Sequence, residues 1–178
     1  IKECEQNGWE FITGGFIDRV GNEGTFPKVH KYTDVWKAFP NAGFFRYPMS
    51  GACPNKVCVM KGSIDVTNGQ HYAVVGEDGK NSWGKFHKKK YPIGNGEGFI
   101  QVHHFKWDST VLERLKEVSN TKEEYTFWQE YKKMYRAIQL NDNKIDINNP
   151  EFHIEYMDDN YHHSYSQWEI LIDKIVSV

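Results

Sequence analysis

Trp9-Glu10-Phe11-Ile12-Thr13-Gly14-Gly15-Phe16-Ile17-Asp18-Arg19-Val20 is the stretch that decides how the rest of the chain is read. It is dense in aromatic and β-branched side chains, which suit a pleated, partly buried surface. The two internal glycines mark a bulge or a close approach of another backbone. The stretch is therefore expected to be a strand, with Asp18-Arg19 at its closing end and the turn Gly21-Asn22-Glu23-Gly24 after it. Upstream, residues 1–7 read as the end of a helix stopped by Asn7-Gly8.

Downstream, Thr33-Asp34 caps a short helix over Val35-Trp36-Lys37-Ala38-Phe39, ended by Pro40. Lys56 to Lys61 alternates as a strand does, and Ile64 to Val75 gives one or two more, divided by Thr67-Asn68-Gly69. Glu77 to Gly98 is a long polar, glycine-rich connection carrying His87-Lys88-Lys89-Lys90, and such connections are usually functional or mobile. Phe99 to Phe105 is a strand. Asp108-Ser109-Thr110 then caps a helix through Val111, Leu112, Leu115 and Val118. Thr121-Lys122-Glu123-Glu124 fits a capping box leading a second helix to about Leu140, with Tyr125, Trp128, Tyr131, Tyr135 and Ile138 at helical spacing. Residues 141–165 are polar and irregular, and Gln167 to Val178 packs back as helix or strand. Strands with long loops come first and helices last, a mixed α/β (α+β) order. One domain is expected, with a sheet region over residues 1–107 and a helical region over 108–178 packed on it.

The 178 residues suffice for a core, and 26% charged with 15% aromatic residues excludes a disordered polymer. A net charge of −2 argues against a general nucleic-acid binder. No apolar run approaches the roughly 20 residues of a membrane span, and the start has no signal-peptide pattern. It also lacks a Met, which suggests a fragment or a processed product. The three cysteines form no Cys-x-x-Cys pair, so reduced thiols in the cytoplasm are the simplest reading. The aromatics suit sugar stacking, although aromatics more often fill cores.

Few residues stand out as chemistry. His103-His104 ends a strand, so the two rings should point to opposite faces, one buried and one toward a site. A zinc site needs three or four ligands, and no Cys/His array supplies them. Asp18 beside Arg19 reads first as a surface ion pair and second as a proton acceptor facing a cleft. His71, after the turn at Gly69, is a structural polar group, a substrate hydrogen-bonder or a base. Lys88-Lys89-Lys90 would attract a diphosphate or form a solvated loop, and His162-His163 has no evident mechanism. There is no phosphate-binding Gly-x4-Gly-Lys loop, no Gly-x-Ser-x-Gly elbow and no HExxH helix.

Four segments taken in order resemble the family-2-like glycosyltransferases: Trp9-Glu10-Phe11-Ile12-Thr13-Gly14-Gly15-Phe16-Ile17-Asp18-Arg19-Val20 with its G-x-F-x-D-R pattern, Ala52-Cys53-Pro54-Asn55-Lys56-Val57, Asn68-Gly69-Gln70-His71 and Val102-His103-His104-Phe105-Lys106-Trp107. The resemblance covers residues 1 to about 140. It implies the acceptor-side and C-terminal part of a GT-A-like fold, transferring a sugar from a nucleotide-sugar to the hydroxyl of a glycan acceptor. It also implies a divalent metal, manganese or magnesium, with His104 completing the metal shell. Lys106, Arg19 and Trp107 would lie by the diphosphate or substrate, and Asp18 and His71 are candidate bases if the reaction inverts. The family's Asp-x-Asp motif is absent from the sequence, which points to a nucleotide-binding segment supplied from elsewhere. Asp158-Asp159 is acidic but stands in the wrong place for it. A non-catalytic carbohydrate-binding or interaction domain is the alternative.

Overall fold

The aromatic and β-branched opening stretch is a strand in the computed structural model, which describes residues 2–7, 10–67, 69–71, 73–74, 99–121, 127–157 and 165–177. The order is α1 (Lys2–Asn7), β1 (Phe11–Val20), α2 (Val35–Ala38), β2 (Asn41–Gly43), α3 (Arg46–Ser50), β3 (Asn55–Met60), β4 (Asp65–Val66), β5 (Ala73–Val74), β6 (Phe99–His104), α4 (Val111–Thr121), α5 (Trp128–Leu140), β7 (Glu155–Tyr156) and α6 (Trp168–Ser177). The fold is mixed α and β with antiparallel strand pairing. The chain divides into two compact units, one of Ile1–Phe16, Cys53–Val102 and Gln167–Val178, the other of Ile17–Ala52 and His103–Ser166. The expected boundary at residues 107 and 108 therefore falls inside the second unit.

In the first unit, Phe11 to Gly15 of β1 runs antiparallel to β3, with a bulge between Ile12 and Thr13. Gly14 is the predicted close approach: a Cβ there would collide with Val102 Cγ2 and stand 2.8 Å from the Ile100 carbonyl oxygen. The stretch Ile64 to Val75 gives the short hairpin β4–β5, closed by Gln70 N–H donating to the Thr67 carbonyl at 2.8 Å. Gln167 to Val178 yields a helix, α6, with Leu171 and Ile172 buried.

In the second unit, Asp18, Arg19 and Val20 of β1 lie opposite Gly43, Ala42 and Asn41 of β2, and β2 pairs in turn with β7. β6 also pairs with β1. Asp34 caps α2 by accepting from the N–H groups of Trp36 and Lys37. The Asp108 carboxylate takes the N–H and O–H of Thr110 at 2.8 and 2.6 Å, which starts α4. Val111 and Leu115 of α4 and Met134 and Ile138 of α5, each pair four residues apart, form one buried stripe per helix. They close on Phe45, Trp107, Ile145 and Phe152. α5 begins at Trp128, later than the capping box suggests, and residues 122–126 of that box lie outside the described residues. Sequence reading missed α3, which packs on α5 and so fixes the position of Arg46.

Candidate functional site

Side chains of a strand alternate between two faces, so the neighbours Asp18 and Arg19 point opposite ways, as do His103 and His104. The second unit sorts them accordingly. Asp18 and His104 meet on one face, and Arg19 and His103 meet on the other.

On the first face the Asp18 side chain is 1% exposed, and its Oδ1 accepts from His104 Nδ1 at 2.9 Å and from Trp107 Nε1 at 2.9 Å. Burial alone would raise the carboxyl. The His104 hydrogen bond, the Arg46 charge and the Trp107 hydrogen bond outweigh it, and Asp18 stays below the ordinary carboxylate range. With Nδ1 held by a carboxylate, the His104 ring is fixed in orientation and tautomer, and Nε2 is the nitrogen that carries the lone pair. The His104 side chain is 24% exposed. Burial pushes its pKa down, Asp18 pulls it partly back, and Arg46 and Lys106 push it down further, so the imidazole is neutral at pH 7. A neutral, oriented imidazole backed by a buried carboxylate is suited to accepting a proton.

Cations flank this pair. Lys106 Nζ stands 5.2 Å from the Trp107 ring centroid and 5.4 Å from that of Tyr131. Burial, then Arg46, pushes its pKa down to about 7, against the opposing pull of Asp18. Arg114 donates to the Lys106 carbonyl oxygen at 2.8 Å, which holds the backbone where the lysine departs. Glu130 of α5 is raised by burial, with Arg46 and Lys106 working against that rise. The local charge is thus weighted toward cations, which favours an anionic ligand.

The remaining expected residues are placed differently. Trp107 has no exposed surface: it packs against Phe45 at 5.0 Å and Phe26 at 6.3 Å, so it is a core ring and no stacking platform. Arg19 is also wholly buried, which replaces the expected surface ion pair with Asp18 and keeps it from a diphosphate on the His104 face. His71 belongs to the first unit, where its Nδ1 donates to the Asn55 carbonyl at 2.7 Å while Asn55 Nδ2 donates to the His71 carbonyl at 2.6 Å. That reciprocal bonding pins strand β3 to the turn and is a structural use of the ring. Residues 77–98, with Lys88-Lys89-Lys90, and residues 158–164, with Asp158-Asp159 and His162-His163, lie outside the described residues.

For a divalent metal, His104 has the carboxylate-backed geometry that metal-ligating histidines commonly show. Asp18 Oδ1 is already taken by two donors, and among the described residues no group of three His, Cys, Asp or Glu side chains stands together. The described residues therefore do not make a metal centre by themselves, and the Lys106 and Arg46 charges oppose one. Arg46, Arg114 and Glu130 were not singled out from sequence. They reach the cluster through helix packing between distant segments, for which the sequence carries no local signal.

No family model matches the sequence, and no curated protein or solved structure is significantly similar to it.

Proposed function

We propose that the chain is the acceptor-side and C-terminal part of a GT-A-like glycosyltransferase, with the Asp18–His104 pair as its acid–base centre. The observation that carries this reading is the hydrogen bond from His104 to a fully buried Asp18, set among cations. In an inverting transfer the acceptor oxygen bonds to the anomeric carbon as the bond from that carbon to the diphosphate oxygen breaks. The acceptor proton passes to His104 Nε2, Asp18 stabilises the imidazolium so formed, and Lys106 and Arg46 neutralise charge on the departing diphosphate. The divalent metal that the resemblance implies would add to that neutralisation, with its further ligands coming from outside the described residues. Nucleotide-sugar and glycan acceptor are the partners on this reading. A reducing, cytoplasmic setting belongs to this reading, with Cys53 and Cys58 as thiols; among the described residues no helix is long and apolar enough to cross a membrane.

Calorimetric titration with UDP-, GDP- and dTDP-sugars, with and without manganese, tests the reading. Saturable binding that weakens in Lys106→Met is expected. His104→Ala should keep the fold and lower turnover by about 10²–10⁴-fold. Undiminished turnover in that variant removes the acid–base assignment. A folded sample that binds glycans but no nucleotide-sugar moves the chain to the carbohydrate-binding alternative.

A further inference from the structure

The opposite face of β1 carries a second polar group that the transfer reading does not use. Arg19 is wholly buried: Nε donates to the Phe39 carbonyl at 2.9 Å, Nη1 donates to Met157 Sδ at 3.2 Å, and Nη2 has no hydrogen-bond partner among the described residues. The guanidinium carbon stands 5.0 Å from the Trp36 ring centroid and 5.7 Å from that of Phe105. His103 shares the box, its ring centroid 4.8 Å from Trp36, and its buried Nδ1 also has no partner among the described residues. Among the described residues no carboxylate pairs with Arg19. A buried charge without a counter-ion is among the least favourable arrangements a fold contains, and aromatic faces compensate it only in part.

We propose that this box binds a carboxylate group, with Arg19 Nη2 and the Nδ1–H of His103 as its two donors. Two donors match the two oxygens of a carboxylate. The charge also matches. The Arg19 guanidinium gives the box a single positive charge. A monoanion cancels that charge, whereas a phosphate dianion would leave an excess negative charge facing aromatic rings. Trp36, His103 and Phe105 of the box are each only partly buried. The carboxylate could belong to a small free acid or to an acidic sugar, and the proposal stands independently of the transfer reaction.

The test is thermal melting of the full chain in sodium formate and in sodium glucuronate, each against sodium chloride at equal ionic strength. The melting temperature of the wild type should rise with carboxylate concentration. His103→Phe should need about tenfold more, the loss of one hydrogen bond, and Arg19→Met should not respond. Response to formate at the lower concentration identifies a small acid; response to glucuronate first identifies an acidic sugar. Should Arg19→Met fail to fold, the ¹⁵N–¹H resonance of the Arg19 Nε group in the wild type decides the matter, since it should shift saturably with the carboxylate. Melting and resonance that follow formate and glucuronate no further than chloride overturn the proposal.

Discussion

Lys106 shows how a single residue records its surroundings. Its folded pKa of about 7 lies below the ordinary 10.5, burial being the first cause. Between those values the unfolded chain holds a proton that the folded chain lacks, so stability rises as pH climbs from about 7 to about 10.5. Below pH 7 the folded chain carries the buried ammonium, and its cost is present in full. Lys106→Met should therefore be more stable than the wild type below pH 7, by on the order of a few kcal/mol, with the gap closing toward pH 10.5. Urea unfolding at pH 6, 8 and 9.5 checks this, and a gap that does not change with pH contradicts it. Of this candidate cluster, strand parity singled out His104, and the resemblance singled out Asp18 and Lys106. Trp107 was expected beside the diphosphate or substrate, whereas its Nε1 bond to Asp18, which joins residues 89 apart, left no local signal.

At the scale of elements, the strand and cap signals translated well because their causes are local. Asp34 and Asp108 stand where side-chain oxygens can take the first N–H groups of a helix or turn. The strands β2 and β7 were missed since each is short and gains its identity only by pairing, Asn41 with Tyr156 and Ala42 with Glu155. The turn after β1 is a case where a glycine is required twice over. Gly24 has φ +75°, and a Cβ there would meet the Ile145 carbonyl oxygen within bonding range. The same carbonyl region is tied by Ile145 N–H donating to the Gly24 carbonyl at 2.9 Å. Gly24→Ala should thus cost about 2–4 kcal/mol, from left-handed strain and overpacking together. Chemical denaturation measures it; a loss under about 0.5 kcal/mol would show that the turn yields freely.

Taken whole, each unit is assembled from segments far apart in sequence. The core of the second unit joins Val20 and Phe45 to Leu115, Met134, Ile138 and Phe152. This is why the residue ranges 1–107 and 108–178, read from element order alone, do not coincide with the units: order along the chain reports type of element, whereas compactness depends on non-local contact. Leu115→Ala should destabilise by about 2–5 kcal/mol, as large-to-small core changes do. It should also broaden the tryptophan fluorescence transition, since the lost methyl groups adjoin the cluster around Trp107.

The neighbouring positions 18 and 19 have one last consequence. Slippage of β1 by one residue against its partners would exchange the two faces. A guanidinium would then confront His104 and its cationic neighbours, and a carboxylate would be thrust against the electron-rich face of Trp36. Both errors repel, so two opposite charges in succession act as a parity check on the strand, rejecting the shifted frame by sign alone.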